Sequence, residues 1–142
     1  MCCSLRDIDG KRGLIISLFV AITFLVVGFL SRGYCPLEEA GGSWYKIFIH
    51  NFVFAIAIIL LTSLLEVAGI LLTSSTVGFT MFTCGRAIAC SVFSASLVAL
   101  LETIAYILAY MIALVKWRLK VVLAFIMLVV LLVSSIVESG AI

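Results

Sequence analysis

The sequence predicts an all-α protein, a polytopic transmembrane helix bundle with about five membrane segments. Of its 142 residues, 65% are hydrophobic and 11% are charged, and the mean hydropathy is +1.40. A soluble domain of this size cannot bury so much apolar surface, so lipid is the solvent that the composition requires. The charges lie in short clusters between long apolar runs. We therefore expect one transmembrane domain, residues 1–142, in contact with the lipid bilayer.

The first half of the chain predicts two spans. Residues 13–30 form a retained span rather than a signal peptide, because no small-x-small cleavage site follows them. Residues 31–46 are the longest polar stretch. Residues 47–73 predict one continuous helix, with Glu66 near the membrane interface at its far end. Glu66 is a candidate interaction residue there; the alternative is that it is simply a hydrated carboxylate at a helix end. The residues that recur on one face of this helix are Asn51, Ala55, Thr62, Glu66, Gly69 and Thr73.

The stretch after this helix is ambiguous. Residues 73–76 are all Ser or Thr and predict a turn, which leaves 77–85 too short to span and favours a broken or re-entrant segment. Such segments often mark transport sites, but a short chain can also simply turn inside a bundle. Arg86, if it lies within the membrane, needs a partner: Glu66, a lipid phosphate or another subunit. At an interface it would snorkel to phosphate.

Residues 87–115 predict the helix around which the others pack, ~43 Å long, with Glu102 as its one carboxylate. At that depth Glu102 has to face protein or water. One interpretation makes it part of an ion, proton or substrate path; the other makes it a neutral carboxylic acid that ties helices together. The small and polar residues on its face of the helix are Ser91, Ala95, Ala99, Glu102, Thr103, Tyr106 and Tyr110.

Charge placement predicts the orientation of the chain. A last span is predicted at 119–137, and the basic clusters at 6–12 and 116–120 should both face the cytoplasm. An even number of crossings then precedes the second cluster, which gives five crossings in total. We expect a prokaryotic plasma-membrane protein with a cytoplasmic N-terminus.

Composition also limits the chemistry. The five cysteines contain no C-x-x-C pair and His50 is the single histidine, so the sequence predicts no metal site and no cofactor. No basic tract suits nucleic acid, and no Ser/His or paired-Asp constellation lies within the spans, so we expect no enzyme. Cys2 and Cys3 could be acylated in a eukaryotic cell, and Cys35 could cross-link to a partner.

Three short segments carry a family resemblance. They are the aromatic-rich approach 44–51 that ends at Asn51, the Val-Gly-Phe at 77–79, and Leu-Leu-Glu at 100–102 followed by Ala105. Across about half the chain, their order resembles the stage II sporulation protein M family. The chain departs from the family pattern at Val98 and Ala99, which stand in place of its His-Gly, and at Val77, which stands in place of its Asn.

The resemblance implies a multi-span protein without known catalysis. The sporulation member works beside wall-degrading proteins, and many relatives, including archaeal ones, have no assigned role. The sequence thus predicts a non-enzymatic membrane subunit that packs with partner proteins as an accessory component of a complex. The alternative is a small oligomeric transporter or channel that uses Glu102 and the broken segment 74–86. The candidate polar or interaction residues are Glu102, Glu66, Arg86, Asn51, Tyr106 and Thr103.

Overall fold

A computed structural model describes residues 3–31 and 43–140, with side chains from Lys11 onward. The helices of this part of the chain are α1 (Cys3–Leu30), α2 (Trp44–Leu64), α3 (Glu66–Ala89), α4 (Phe93–Leu114) and α5 (Trp117–Glu138). Each contains a stretch long and apolar enough to cross a membrane. The predicted all-α bundle of five membrane segments is confirmed, and the chain is an integral membrane protein in contact with lipid. Cys2, Cys35 and most of the predicted 31–46 loop lie outside the described residues.

Successive helices run in alternating directions. Near the start of α1, Gly13 lies against Ile70 near the start of α3 and against Tyr110 near the end of α4. Near the end of α1, Gly28 lies against Phe82 in the second half of α3. Helices α1 and α3 are therefore parallel, and α4 is antiparallel to both. We call the side where α1 begins and α4 ends the basic side, and the other the opposite side. The basic residues of the basic side are Lys11, Arg12, Lys116, Arg118 and Lys120.

Helix α4 is the centre of the bundle. It contacts all four other helices, whereas α1 contacts only α3 and α4 among the described elements. Half of its membrane stretch is buried, against 22% for α1, α2 and α5, so these three face lipid over most of their surface. Its buried residues are small or aromatic, which lets neighbouring backbones approach closely while the tyrosines fill the space between them. They include Ala99, Ala105, Tyr106, Ala109 and Tyr110.

Helices α1 and α3 meet at two glycines. A Cβ added to Gly28 would overlap the backbone carbonyl of Phe82, and one added to Gly85 would overlap the carbonyl of Leu25. The two backbones are therefore in direct contact near the opposite side, at a distance that only glycine allows. Nearer the basic side, the hydroxyls of Ser17 and Ser74 lie 3.1 Å apart and join the same two helices.

The predicted continuous helix over 47–73 is wrong, because α2 ends at Leu64 and α3 begins at Glu66. Between them Leu65 adopts φ −138° and ψ 89°, outside the helical region. The absence of a side chain at Gly69 lets α3 turn back tightly against Thr62. A helix of 27 residues would be ~40 Å long, well beyond the ~30 Å hydrocarbon core, so two spans fit the bilayer better than one.

The predicted turn at 73–76 and the broken segment at 77–85 are also wrong, since both lie inside the continuous helix α3. The hydroxyls that suggested a turn bond back along the helix. Thr73 donates to the Gly69 carbonyl at 2.7 Å, and Thr76 donates to the Leu72 carbonyl at 2.9 Å. These bonds satisfy the hydroxyl groups without interrupting the helix, which is why a Ser/Thr run can cross lipid.

The predicted single helix over 87–115 divides at residues 90–92, where α3 ends and α4 has not yet begun. Ser91 has a positive φ of 59°. The Ser91 amide bonds the Ile88 carbonyl at 3.1 Å and the Val92 amide bonds the Ala87 carbonyl at 2.9 Å. This pair of bonds is the Schellman motif, which usually has glycine at the left-handed position. Because serine stands here in place of the usual glycine, the sequence gives no signal that the helix ends at this point.

Candidate functional site: a polar cluster between α2, α4 and α5

The side chains of Asn51, Glu102 and Tyr106 form a hydrogen-bonded chain between α2 and α4. The Asn51 amide nitrogen donates to the Glu102 carboxylate at 2.5 Å. The Tyr106 hydroxyl donates to the Asn51 amide oxygen at 3.3 Å. Asn51 and Tyr106 are each 5% exposed, so these groups have little access to surrounding solvent or lipid. Asn51 uses both ends of its amide and thereby links two residues of the neighbouring helix.

The local periodicity of each helix explains this meeting. Glu102 and Tyr106 are four residues apart on α4, one above the other on the same face. Asn51 begins the buried stripe of α2, which continues through Ala55, Ile58 and Thr62. Glu102 is the tenth of the 22 residues of α4, ~14 Å from its start. The carboxylate is therefore close to mid-membrane and faces protein. This orientation is expected, because a carboxylate exposed to lipid at that depth is energetically costly.

Glu138, the last residue of α5, extends the cluster toward the opposite side. Its carboxylate interacts electrostatically with Glu102 and with His50. One of its oxygens, Oε2, is buried and has no hydrogen-bond partner in the described part of the chain. His50 precedes Asn51 on α2, is exposed, and rests its ring edge-on against Phe54 with centroids 5.1 Å apart. Two carboxylates and an imidazole thus lie between mid-membrane and one membrane edge.

Thr103 belongs to a different contact. Its hydroxyl lies 2.8 Å from that of Thr80, which joins α4 to α3 rather than to α2. It also donates to the Ala99 carbonyl of its own helix at 2.8 Å. On a third side of α4, the Ser134 hydroxyl reaches the Val98 carbonyl at 3.5 Å from α5. Helices α2, α3 and α5 therefore each bond α4 through a polar side chain at a separate place.

Glu66 and Arg86 lie at the two ends of α3, far from one another. Glu66 begins α3 on the basic side, where a carboxylate is favourable at the helix N-terminus. Its Oε1 atom and the hydroxyl of Thr62 are buried without a hydrogen-bond partner among the described residues. Arg86 occupies the last turn of α3, ~30 Å away along the axis. The considered Arg86–Glu66 pair is therefore wrong within one chain.

Of the six predicted residues, the structure brings Asn51, Glu102 and Tyr106 together. Sequence reasoning missed Glu138, because the last span was expected to end at residue 137. A signal was present. Met127, Leu131 and Ser134 or Ser135 precede it at helical spacing and all are buried, so Glu138 continues the protein-facing stripe of α5.

The described residues contain no group of three His, Cys, Asp or Glu side chains placed to hold a metal ion. Comparison with known proteins finds no family model, no curated protein and no solved structure that matches this chain. The resemblance to the stage II sporulation protein M family stays a prediction. The polytopic helical fold and its contact with the bilayer place the chain among integral membrane proteins.

Proposed function

We propose that the chain is a non-enzymatic subunit of a membrane complex, in which it packs with partner proteins as a structural or accessory component. The observation that carries this proposal is the hydrogen-bonded chain of Asn51, Glu102 and Tyr106. The mid-membrane carboxylate is bonded within its own chain and joins two helices. This arrangement is typical of a group that stabilises a fold, and the Ser and Thr contacts around α4 act in the same way.

The short connections between helices support the same proposal. Leu65 alone separates α2 from α3, residues 90–92 separate α3 from α4, and 115–116 separate α4 from α5. In this part of the chain, almost all surface available to another protein lies on the helices themselves. We propose that partners bind there, within the bilayer, and that the protein resides in a prokaryotic plasma membrane with its N-terminus in the cytoplasm.

Gentle solubilisation from native membranes, followed by native mass spectrometry, tests the proposal. We expect companion proteins at a fixed ratio to this chain. Glu102→Gln keeps an oxygen that accepts the Asn51 hydrogen bond and should retain the companions, whereas Glu102→Leu should lose them. Ile104→Val, a change at a 48% exposed position of the same helix, serves as the matched control. A stable chain that is recovered alone and in full yield would overturn the subunit proposal.

A second candidate function, a small oligomeric transporter or channel, is favoured by the cluster of Glu102, Glu138 and His50. These groups lie between mid-membrane and one membrane edge, where a path for protons or cations would need them. The broken segment over 74–86 no longer supports this candidate, because α3 is continuous there. Purified protein in liposomes should then show a pH-dependent flux that Glu102→Gln and Glu138→Gln each abolish and Ile104→Val preserves. No flux with any of a broad panel of ions would exclude it.

A further inference from the structure

Three basic residues, Lys116, Arg118 and Lys120, lie on the basic side where α4 ends and α5 begins. Residues 103–137 contain no acidic residue, so no neighbour in the sequence neutralises this charge. Lys116 and Arg118 are exposed, and Lys120 is partly covered. Trp117, between the first two, is 77% exposed, and tryptophan is enriched at the interface between membrane and water. The segment therefore lies at the level of the lipid headgroups.

Helix α5 has one face toward lipid and one toward protein. Its protein-facing stripe follows Lys120 and includes Met127 and Leu131, which are both buried. The residues of its lipid-facing stripe are all exposed and follow one another at spacings of three or four: Arg118, Val122, Phe125 and Val129. Arg118 thus lies at the membrane edge, at the head of an exposed apolar stripe that continues into the membrane.

This order of charge and apolar surface corresponds to the two parts of a phospholipid. The phosphate of a phospholipid lies at the membrane edge, and its acyl chains extend toward mid-membrane. Arginine has five N–H donors and can hold a phosphate through two parallel hydrogen bonds. An acyl chain that extends inward from a phosphate at Arg118 would run along Val122 and Phe125. Lys116, two residues before Arg118, supplies a second positive charge at the same level.

We infer that the start of α5 is a binding site for an anionic phospholipid, whose phosphate is held by Lys116 and Arg118 and whose acyl chain lies along Val122, Phe125 and Val129. A zwitterionic phospholipid offers the same chains, but the cationic group of its headgroup is repelled by the same two residues. The site should therefore prefer a lipid with net negative charge. Each juxtamembrane Lys or Arg strengthens binding to an anionic lipid surface about fivefold.

The fold adds further positive charge at this edge of the bundle. Gly13 lies against the hydroxyl of Tyr110, which brings the start of the α1 membrane stretch to the end of α4. Lys11 and Arg12 directly precede Gly13 and therefore lie on the same side as the start of α5. Their combined potential raises the local concentration of anionic lipid. Lys46 begins α2 on the opposite side and lies outside this patch.

Native mass spectrometry of the full-length protein tests the inference. The protein is released from nanodiscs that contain equimolar phosphatidylglycerol and phosphatidylcholine with identical acyl chains. We expect the retained lipid to be enriched in phosphatidylglycerol by about fivefold or more. Lys116→Gln combined with Arg118→Gln should abolish the enrichment, and Lys46→Gln, the same kind of change on the opposite side, should preserve it. Phe125→Ala should lower the retention of both lipids without changing the preference.

The absence of enrichment in the wild-type protein would overturn the inference. An equal loss in Lys46→Gln would also overturn it, because the preference would then follow net charge and not this site. Inorganic phosphate in excess should leave the lipid bound; its displacement would show a site for free phosphate only. If the double variant fails to fold, the wild-type protein decides, since its enrichment should fall as NaCl screens the charges. Enrichment that is independent of salt would contradict recognition by charge.

Discussion

Asn51 and Glu102 are 51 residues apart in sequence, and their side chains are joined by a hydrogen bond between α2 and α4. The bond lies inside the bundle, and Asn51 also accepts a hydrogen bond from Tyr106. Interhelical bonds of this kind contribute about 0.6–1.7 kcal/mol in membrane proteins, so the position is expected to be important without determining the fold alone.

Glu102→Leu should lower the free energy of unfolding by about 1–3 kcal/mol, because it leaves the buried Asn51 amide without an acceptor. Glu102→Gln retains an acceptor oxygen and should cost less than ~1 kcal/mol. Reversible unfolding in mixed detergent micelles measures both. A double-mutant cycle with Asn51→Ala isolates the pair, and a coupling energy of zero would show that the observed bond does not stabilise the protein.

The sequence predicted the faces of the helices better than their ends. Asn51, Ala55 and Thr62 were expected on one face and are buried together, because helical periodicity determines a face without knowledge of the neighbours. Which residue of α4 meets Asn51 depends on how far the two helices are shifted along their axes, and periodicity contains no information on that shift. The Asn51–Glu102 contact could therefore not have been predicted from either helix alone.

Two helix ends escaped prediction because the chain lacks the usual signals there. Leu65 follows the end of α2 and Ser91 lies just beyond α3, and neither position carries the glycine or proline that generally marks such a break. The run 73–76 led to the opposite error, in which a turn was predicted where the helix is continuous. Its hydroxyls suggested a turn, although they bond back within α3. Both errors have one cause: local sequence signals were given more weight than the length of helix that a bilayer accommodates.

Ser91→Gly should stabilise the protein by about 1 kcal/mol. Ser91 is exposed and adopts a left-handed conformation that costs a residue with a Cβ roughly 1–2 kcal/mol, whereas glycine adopts it freely. Thermal unfolding in detergent should show the increase. Ser91→Val should act in the other direction, because a β-branched residue is least tolerant of positive φ. Equal stability of the two variants would mean that the Schellman motif does not form.

Gly28→Ala should destabilise the protein by about 1–3 kcal/mol, since the new methyl group would overlap the α3 backbone at Phe82 and force α1 away. Gly78→Ala is the matched control. There the added Cβ would lie 3.1 Å from Cγ1 of Val20, a side chain that can shift, and replacement of glycine in a helix gains up to ~1 kcal/mol. The stability difference between the two variants, from unfolding in detergent, should exceed ~1 kcal/mol. Equal values would show that α1 and α3 are not in backbone contact.

Impermeant labelling at engineered cysteines should reveal the alternating direction of the five helices. Lys11→Cys and Trp117→Cys lie on the basic side, at the starts of the α1 membrane stretch and of α5. Lys46→Cys and Ser139→Cys lie on the opposite side, at the start of α2 and just beyond α5. In a background with the native cysteines replaced by Ser, or by Ala at buried Cys84, an impermeant maleimide should label one pair from outside and the other pair only after permeabilisation.

With the basic side in the cytoplasm, the Lys46 and Ser139 positions are the pair labelled from outside. A label on Lys11→Cys from the same side as Ser139→Cys would require an even number of crossings. This result would contradict the separation of α2 from α3 at Leu65, since that single break converts the predicted continuous helix over 47–73 into most of one span and the start of the next. The labelling pattern therefore tests the helix break at Leu65, which the sequence did not predict.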